Sequence, residues 1–326
     1  QDPIDMLHFS AAGWSSIGGH EDRAIYFVPY ASYETSYTTS GQYIVQMNER
    51  GDTFVSGLIS PDSEGNYGSR AEVIDYDKDG ASEVLVLTGK GALLALDVDT
   101  YAIESDPDAR GESPDRETDQ MVTGDFNADG FSDVVSATGR TVSASDLYNN
   151  TSLWSFEAFE EGEPGRIEDI AVHDFNVDGV LEILVASSSE LSIWRNIDGT
   201  FSKGITVNKR CKRVVVGELI KGTSSIICTS GTAFAVFDIN LMLQADYVFP
   251  FAITDILIED SSFDRKNILL ATTKNIRQID PYTGKEIWSG PDLLGGIPPQ
   301  SLRYAPDLGA NKRLMFATKD AMYLTQ

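Results

Sequence analysis

The sequence predicts an all-β fold, a seven-bladed β-propeller of four-stranded antiparallel blades forming one domain over residues 1–326. One segment recurs with a period of about 50 residues: VIDYDKDGASEVLVL from Val73, VTGDFNADGFSDVVSA from Val122 and AVHDFNVDGVLEILVA from Ala171. Each copy has a short apolar stretch, an acidic glycine loop, an apolar run and then further strand-like segments such as ALLALDV from Ala92 and LSIWRN from Leu191. Central apolar runs begin near Ile25, Val84, Val134, Ile183, Ile226, Ile268 and Leu314, which sets the expected blade number at seven. Four short strands per unit of about 40–50 residues suit propeller blades, because one blade cannot bury both faces and must stack on neighbours. No stretch of helical period competes, and the other repeat architecture to weigh is a β-solenoid.

The later units keep this skeleton without the acidic loop, in SSIICTSGTAFAVFDI from Ser224, NILLATTKNIRQIDPYTGKEIW from Asn267 and RLMFATKDAMYLTQ from Arg313. The first unit, AIYFVPY from Ala24 and QYIVQMN from Gln42, carries an insertion between its strands. The last unit ends at Gln326 after three strands, while Ile4–Phe9 reads as a spare strand. This segment is therefore expected to complete the seventh blade and close the ring.

Composition narrows the partners. Hydrophobic residues make up 41% of the chain, enough for a large core. Fifty Asp and Glu against 25 Lys and Arg leave a formal net charge of −25. So acidic a surface repels nucleic acid and anionic lipid, and no apolar run reaches the roughly 18–20 residues that span a bilayer. The expectation is no nucleic-acid partner and no membrane insertion. The N-terminus lacks a basic-then-apolar signal, so the chain reads as a mature form or an excised domain. Cys211 and Cys228 lie on neighbouring apolar stretches; a cross-strand disulfide and two buried inert thiols are both open readings.

The acidic loops carry the chemistry. DYDKDGASE, DFNADGFSD and DFNVDGVLE all obey D-x-[DN]-x-D-G-x-x-[DE]. Side-chain oxygens at positions 1, 3 and 5 converge when such a loop coils, glycine at position 6 permits the turn, position 7 offers a carbonyl and position 9 closes with a carboxylate. Hard oxygen donors without His or Cys select calcium, and magnesium's smaller octahedral shell fits less well. The expectation is three Ca2+ sites. Their ligands would be Asp75, Asp77, Asp79 and Glu83; Asp125, Asn127, Asp129 and Asp133; and Asp174, Asn176, Asp178 and Glu182, with carbonyls from Ala81, Phe131 and Val180. Modules of this kind bind calcium at about 10⁻⁴–10⁻³ M, too weakly for the cytosol, which places the chain at the cell surface, in the periplasm or in the extracellular space.

These segments resemble the FG-GAP or VCBS repeats of integrin α-chain heads and many bacterial surface proteins, with GDFNADGFSDVVSA (Gly124 to Ala137) close to the family pattern. The strict resemblance covers about 110 residues. His173 and Ile74 stand where the family often has glycine, and the corresponding turn of the fifth unit has Glu218, Lys221 and Gly222 instead of ligands. The resemblance implies that the loops join the first and second strands of a blade and that their role is mainly structural. IDPYTGKEIWSG (Ile279 to Gly290) is similar, over a shorter stretch, to repeats of quinone-dehydrogenase and outer-membrane-assembly propellers.

Propeller topology puts the blade links and the turns between second and third strands on the face opposite the metal loops. On that face a protein or glycan ligand is expected. Tyr30, Tyr33, Tyr37 and Tyr43 of the first insertion form either a recognition surface or a packed hairpin. The acidic link from Glu104 to Gln120, its neighbour from Glu157 and the basic NKRCKR from Asn208 could dock a charged partner or simply be solvated. Trp154 and Trp288, matched in fourth strands, and Trp194 on a third strand read as core packing, and the sequons at Asn149 and Asn150 fall on a hairpin tip. No G-x-S-x-G, H-E-x-x-H or phosphate-cradling glycine loop occurs. A recognition module without catalysis is therefore the leading reading. A polysaccharide lyase or hydrolase, which would need an acid–base pair in the central funnel, and a periplasmic envelope-assembly scaffold are the others.

Overall fold

The computed structural model describes residues 10–15, 23–34, 37–48, 53–55, 59–62, 70–80, 82–87, 93–97, 103–105, 120–159, 165–197, 200–259, 263–293, 302–305, 313–318 and 322–324. Every regular element among them is a strand. The first sheet holds β1 (Ser10–Ser15), β2 (Arg23–Glu34), β3 (Tyr37–Asn48) and β4 (Thr53–Val55), with β5 (Ile59–Asp62) also paired to β3. Next come β6 (Arg70–Ile74), β7 (Glu83–Leu87), β8 (Leu93–Asp97) and β9 (Ile103–Ser105). The third sheet is β10 (Gln120–Gly124), β11 (Asp133–Thr138), β12 (Thr141–Asp146) and β13 (Thr151–Glu157). It is followed by β14 (Ile167–His173), β15 (Glu182–Ser187), β16 (Leu191–Ile197) and β17 (Thr200–Val207). Then β18 (Arg213–Ile220), β19 (Thr223–Ser230), β20 (Ala233–Asp238) and β21 (Leu243–Val248) pair in order. A further meander is β22 (Ile253–Ile258), β23 (Ile268–Thr272), β24 (Ile276–Ile279) and β25 (Glu286–Ser289). The chain ends with β26 (Arg303–Ala305), β27 (Arg313–Ala317) and β28 (Met322–Leu324).

The propeller architecture holds, but the expectation of seven four-stranded blades does not: the described residues form five. The first sheet is larger, because β2 and β3 are twelve residues each, and β3 is long enough to take both β4 and β5 along one edge. The last sheet has three described strands. The closure expected from the N-terminus falls on residues that the structure does not describe, Ile4–Phe9. The first described strand, β1, pairs with β2 in its own sheet. Pairing with the nearest strand in sequence closes a short loop at low entropic cost, whereas joining the C-terminal sheet closes nearly the whole chain. β1 instead lies beside β6 on one side and against β26 and β27 on the other.

First strands line the axis: β14 neighbours β10 and β18, and β18 neighbours β22. The core lies between the faces of adjacent sheets. Successive residues of a strand point to opposite faces, so each central strand feeds two core layers. In β15, Ile183 packs towards Val135 and Val142, and Leu184 towards Val214, Ile226 and Phe237. In β19, Ile227 packs with Phe234, Ile256 and Leu270, on the face away from Ile226. Burial on both sides explains why these strands are continuous apolar runs instead of alternating ones.

Aromatic residues thicken one layer. Trp154 contacts Phe126, Phe156 and Phe201, and Phe156 stacks on the buried Trp194 at 4.7 Å. Trp288 departs from the expected core role: it is 51% exposed, on an edge strand whose four residues are all exposed. Cys211, just before β18, and Cys228, on β19, form a disulfide, with Cα atoms 5.5 Å apart.

The acidic loops join first to second strands of β6–β9, β10–β13 and β14–β17, and share one backbone path. Position 4 has positive φ in each, at Lys78, Ala128 and Val177 (60° in all three), and so has the glycine at position 6, at Gly80, Gly130 and Gly179 (88–92°). The left-handed region costs a non-glycine residue about 1–2 kcal/mol, and Val177 is β-branched and 81% exposed. Allowing for glycine's larger unfolded-state entropy, Val177→Gly is expected to stabilise the protein by about 0.5–1 kcal/mol. Urea unfolding checks it, and an unchanged or lower midpoint would contradict the strain argument.

Candidate metal centres

The three loops repeat the same hydrogen bonds. The N–H at position 6 donates to the first aspartate: Gly80 to Asp75 Oδ2 (3.2 Å), Gly130 to Asp125 Oδ2 (3.0 Å) and Gly179 to Asp174 Oδ2 (2.8 Å). At position 5 the N–H donates to position 3: Asp79 to Asp77 Oδ1, Asp129 to Asn127 Oδ1 and Asp178 to Asn176 Oδ1. The N–H at position 2 reaches the closing carboxylate: Tyr76 to Glu83 Oε2, Phe126 to Asp133 Oδ2 and Phe175 to Glu182 Oε2. Backbone donors thus hold one oxygen of each closing acid and leave the other for something else.

What the other oxygen meets differs among the loops. In the Asp75 loop, one carboxylate oxygen from each of Asp75, Asp77 and Glu83 lies within 4.8 Å of the other two, and Asp75 Oδ1 is buried without a hydrogen-bond partner. Ala81 lies outside the described residues. Asp133 in the Asp125 loop is fully buried, and its Oδ1 also has no partner. Burial, aided by the nearby Asp146 and Asp129 carboxylates and opposed by the Phe126 N–H, pushes the Asp133 carboxyl up to about 6. In the Asp174 loop the free oxygen of Glu182 is already occupied: Asn176 Nδ2 donates to Oε1 at 2.5 Å, and Arg195 Nε stands 4.0 Å away. Burial raises the Glu182 carboxyl, with the Phe175 N–H and Arg195 pulling the other way. Burial acts against Asp174 as well, but N–H groups of Gly179, Asp178 and Val177 outweigh it and hold the carboxyl below its usual range.

The side chains expected at positions 1, 3 and 5 therefore sit on the coiled loops, and those at position 9 are the first residues of the second strands β7, β11 and β15. Phe131 and Val180, expected to offer carbonyls, have N–H groups that donate to Asp129 Oδ1 and Asp178 Oδ1. Lys78 links two loops by donating to the Gly130 carbonyl and lies 5.8 Å from the Phe131 ring centroid. The loop motif missed the residues behind it, Asp146 and Arg195. They come from third strands, Asp146 as the last residue of β12 and Arg195 within β16, and their signal is strand register: Asp133 pairs with Asp146, and Arg195 follows Trp194, the partner of Ile183.

The basic cluster from Asn208 is only partly a surface. Lys209 Nζ is bound to both oxygens of Asp246, and Arg213 is buried between Asp169 and Asp255. Arg213 borders an axial cavity of about 310 Å³, along with Glu72, Thr123 and Asp169 from neighbouring first strands. Tyr30, Tyr33, Tyr37 and Tyr43 lie on β2 and β3, within a regular hairpin rather than a loop. Most of the Glu104–Gln120 link falls outside the described residues. At the hairpin tip, Asn149 Nδ2 is bound to Asp146 Oδ2 at 2.8 Å.

The FG-GAP-like repeat family matches residues 125–185, which span the whole of the Asp125 and Asp174 loops and the strands between them. The chain is a β-propeller that carries an FG-GAP-like repeat match over residues 125–185. Solved propellers of similar shape include BBS1N, crystallised in complex with ARL6DN, with a TM-score of 0.62 and 12% identity over 99% of this chain and 94% of that one. Saccharomyces cerevisiae Sqt1 is similar at TM-score 0.63 and 8% identity, over 98% of both chains. Chaetomium thermophilum Raptor matches at TM-score 0.65 and 11% identity, over 98% of this propeller and 28% of that chain. At such identities the likeness is one of fold. No curated protein sequence matches the propeller significantly.

Proposed function

We propose that this propeller is a protein-interaction scaffold, braced by calcium at the Asp75, Asp125 and Asp174 loops and working outside the cytoplasm. The observation that carries the metal reading is the pair of buried oxygens without a partner, Asp75 Oδ1 and Asp133 Oδ1, on loops that otherwise satisfy their own backbone. A buried carboxylate oxygen left unpaired is costly, and a cation bound there would remove that cost. The donor set is carboxylate and amide oxygen, with no His or Cys among the expected ligands, which suits calcium. Bound calcium would neutralise carboxylates that otherwise repel across each loop; the backbone N–H donors already hold the loops in the coiled path.

The Cys211–Cys228 disulfide supports an oxidising location. The scaffold role is supported by the fold and by the BBS1N propeller, which was crystallised on a protein partner. Titration calorimetry of the chelator-treated protein is expected to show calcium binding near 10⁻⁴–10⁻³ M, and a tenfold excess over Kd should add about 1.4 kcal/mol of stability per site. Absence of heat and of any Tm shift at millimolar calcium would remove the metal reading. For the scaffold role, cross-linking from the source's secreted or surface fraction is expected to capture a discrete protein. Recovery of none would count against it.

A further inference from the structure

The three loops share a backbone but not an electrostatic setting, and one residue makes the difference. In most of the four-stranded blades the third strand ends in an aspartate. Asp97 pairs with the closing acid Glu83, Asp146 with Asp133, and Asp238 with Ser225, while Asp280 directly follows β24. Where side-chain contacts are described, this aspartate caps the turn into the fourth strand. Asp146 Oδ1 accepts from the Asn149 N–H, Asp238 Oδ1 from Asn240 and Met242, and Asp280 Oδ1 from Tyr282 and Thr283. In the β14–β17 blade the place is taken by Arg195, whose Nε is buried, makes no hydrogen bond and stands 4.0 Å from Glu182 Oε1. Among the described residues, that blade alone of the three with acidic loops places a cation, not an anion, behind its closing acid.

We infer that Arg195 is a built-in counter-cation that makes the Asp174 loop the weakest of the three calcium sites and the least dependent on the ion. The inference rests on the calcium reading above. A divalent ion entering the Asp75 or Asp125 loop meets a closing acid with a second carboxylate opposite it, and in the Asp125 loop Asp133 Oδ1 is unpaired. At the Asp174 loop the ion would have to displace Asn176 Nδ2 from Glu182 Oε1 and approach a fixed positive charge. Repulsion over such a distance, discounted for the partly exposed guanidinium, weakens binding by roughly tenfold or more.

The test is calcium titration calorimetry on the whole chain, with circular dichroism to confirm folding. The wild type is expected to show two tighter sites and a third roughly tenfold weaker, and Asp178→Ala should abolish the weak class. Arg195→Gln should bring the third site to within a few-fold of the others, while Arg195→Lys, which keeps the charge, should leave it weak. Three equivalent sites in the wild type, or an unchanged weak class in folded Arg195→Gln, would overturn the inference and leave the calcium reading standing. No binding at any loop would overturn both.

Discussion

Arg213→Met is expected to cost about 3–5 kcal/mol of stability, the largest effect of any single substitution considered. Arg213 Nη1 donates to Asp169 Oδ2 at 2.9 Å and Nη2 to Asp255 Oδ1 at 3.1 Å, so one guanidinium ties β18 to both β14 and β22. The two acids are 2% and 0% exposed. Each also accepts a backbone N–H, from Val214 at Asp169 Oδ2 and from Leu302 at Asp255 Oδ2, which staples the start of the following first strand to the preceding blade. Burial works against the charge on Arg213, but Asp169 and Asp255 outweigh it and raise the guanidinium further above its already high range. Methionine fills most of the volume and takes away the guanidinium that stands between the two buried carboxylates. Adding Asp169→Asn and Asp255→Asn should recover most of the loss, since each amide oxygen can still accept its N–H. Urea unfolding of the three proteins decides it. A loss under about 1 kcal/mol for Arg213→Met, or no recovery in the triple variant, would show that the trio does not hold the blades.

Removing the disulfide comes next. Cys211 and Cys228 are 17 residues apart, and closing a loop of that size lowers the entropy of the unfolded chain by an amount worth about 3 kcal/mol. Both sulfur-bearing residues are buried, in the layer formed with Leu184, Val214 and Phe237. The Cys211→Ala, Cys228→Ala protein should therefore unfold about 3 kcal/mol more readily, and reductant should weaken the wild type to a similar extent while leaving the double variant unchanged. Equal midpoints with and without reductant would mean that the bond contributes nothing to stability.

The two features were not equally legible. Each acidic loop is nine contiguous residues, so residue types alone reveal the oxygen donors, and their backbone path follows from local turn chemistry. The Arg213 trio spans separations of 44 and 42 residues. In the sequence Arg213 is the last member of NKRCKR, where it looks like one more surface charge; only the meeting of three first strands at the axis buries it. Arg195 was hidden for the same reason, since it lies 13 residues beyond the acid it faces and reaches it through the β15–β16 register. Trp288 misled in the opposite sense: a repeat-matched position implies core, but β25 is the edge of its sheet and leaves the indole ring half exposed.

The sequence by itself determined the all-β class, the repeat of about 50 residues, the central strands buried on both faces and the three coiled oxygen loops, because each of these depends on residues adjacent in the chain. Only the tertiary structure decided how many blades have four strands, where the first described strand pairs, that the two cysteines are bonded, and which charges stand behind the loops. Those depend on which distant strands come to lie side by side, and that choice is made by packing and loop closure over the whole ring rather than by any local pattern.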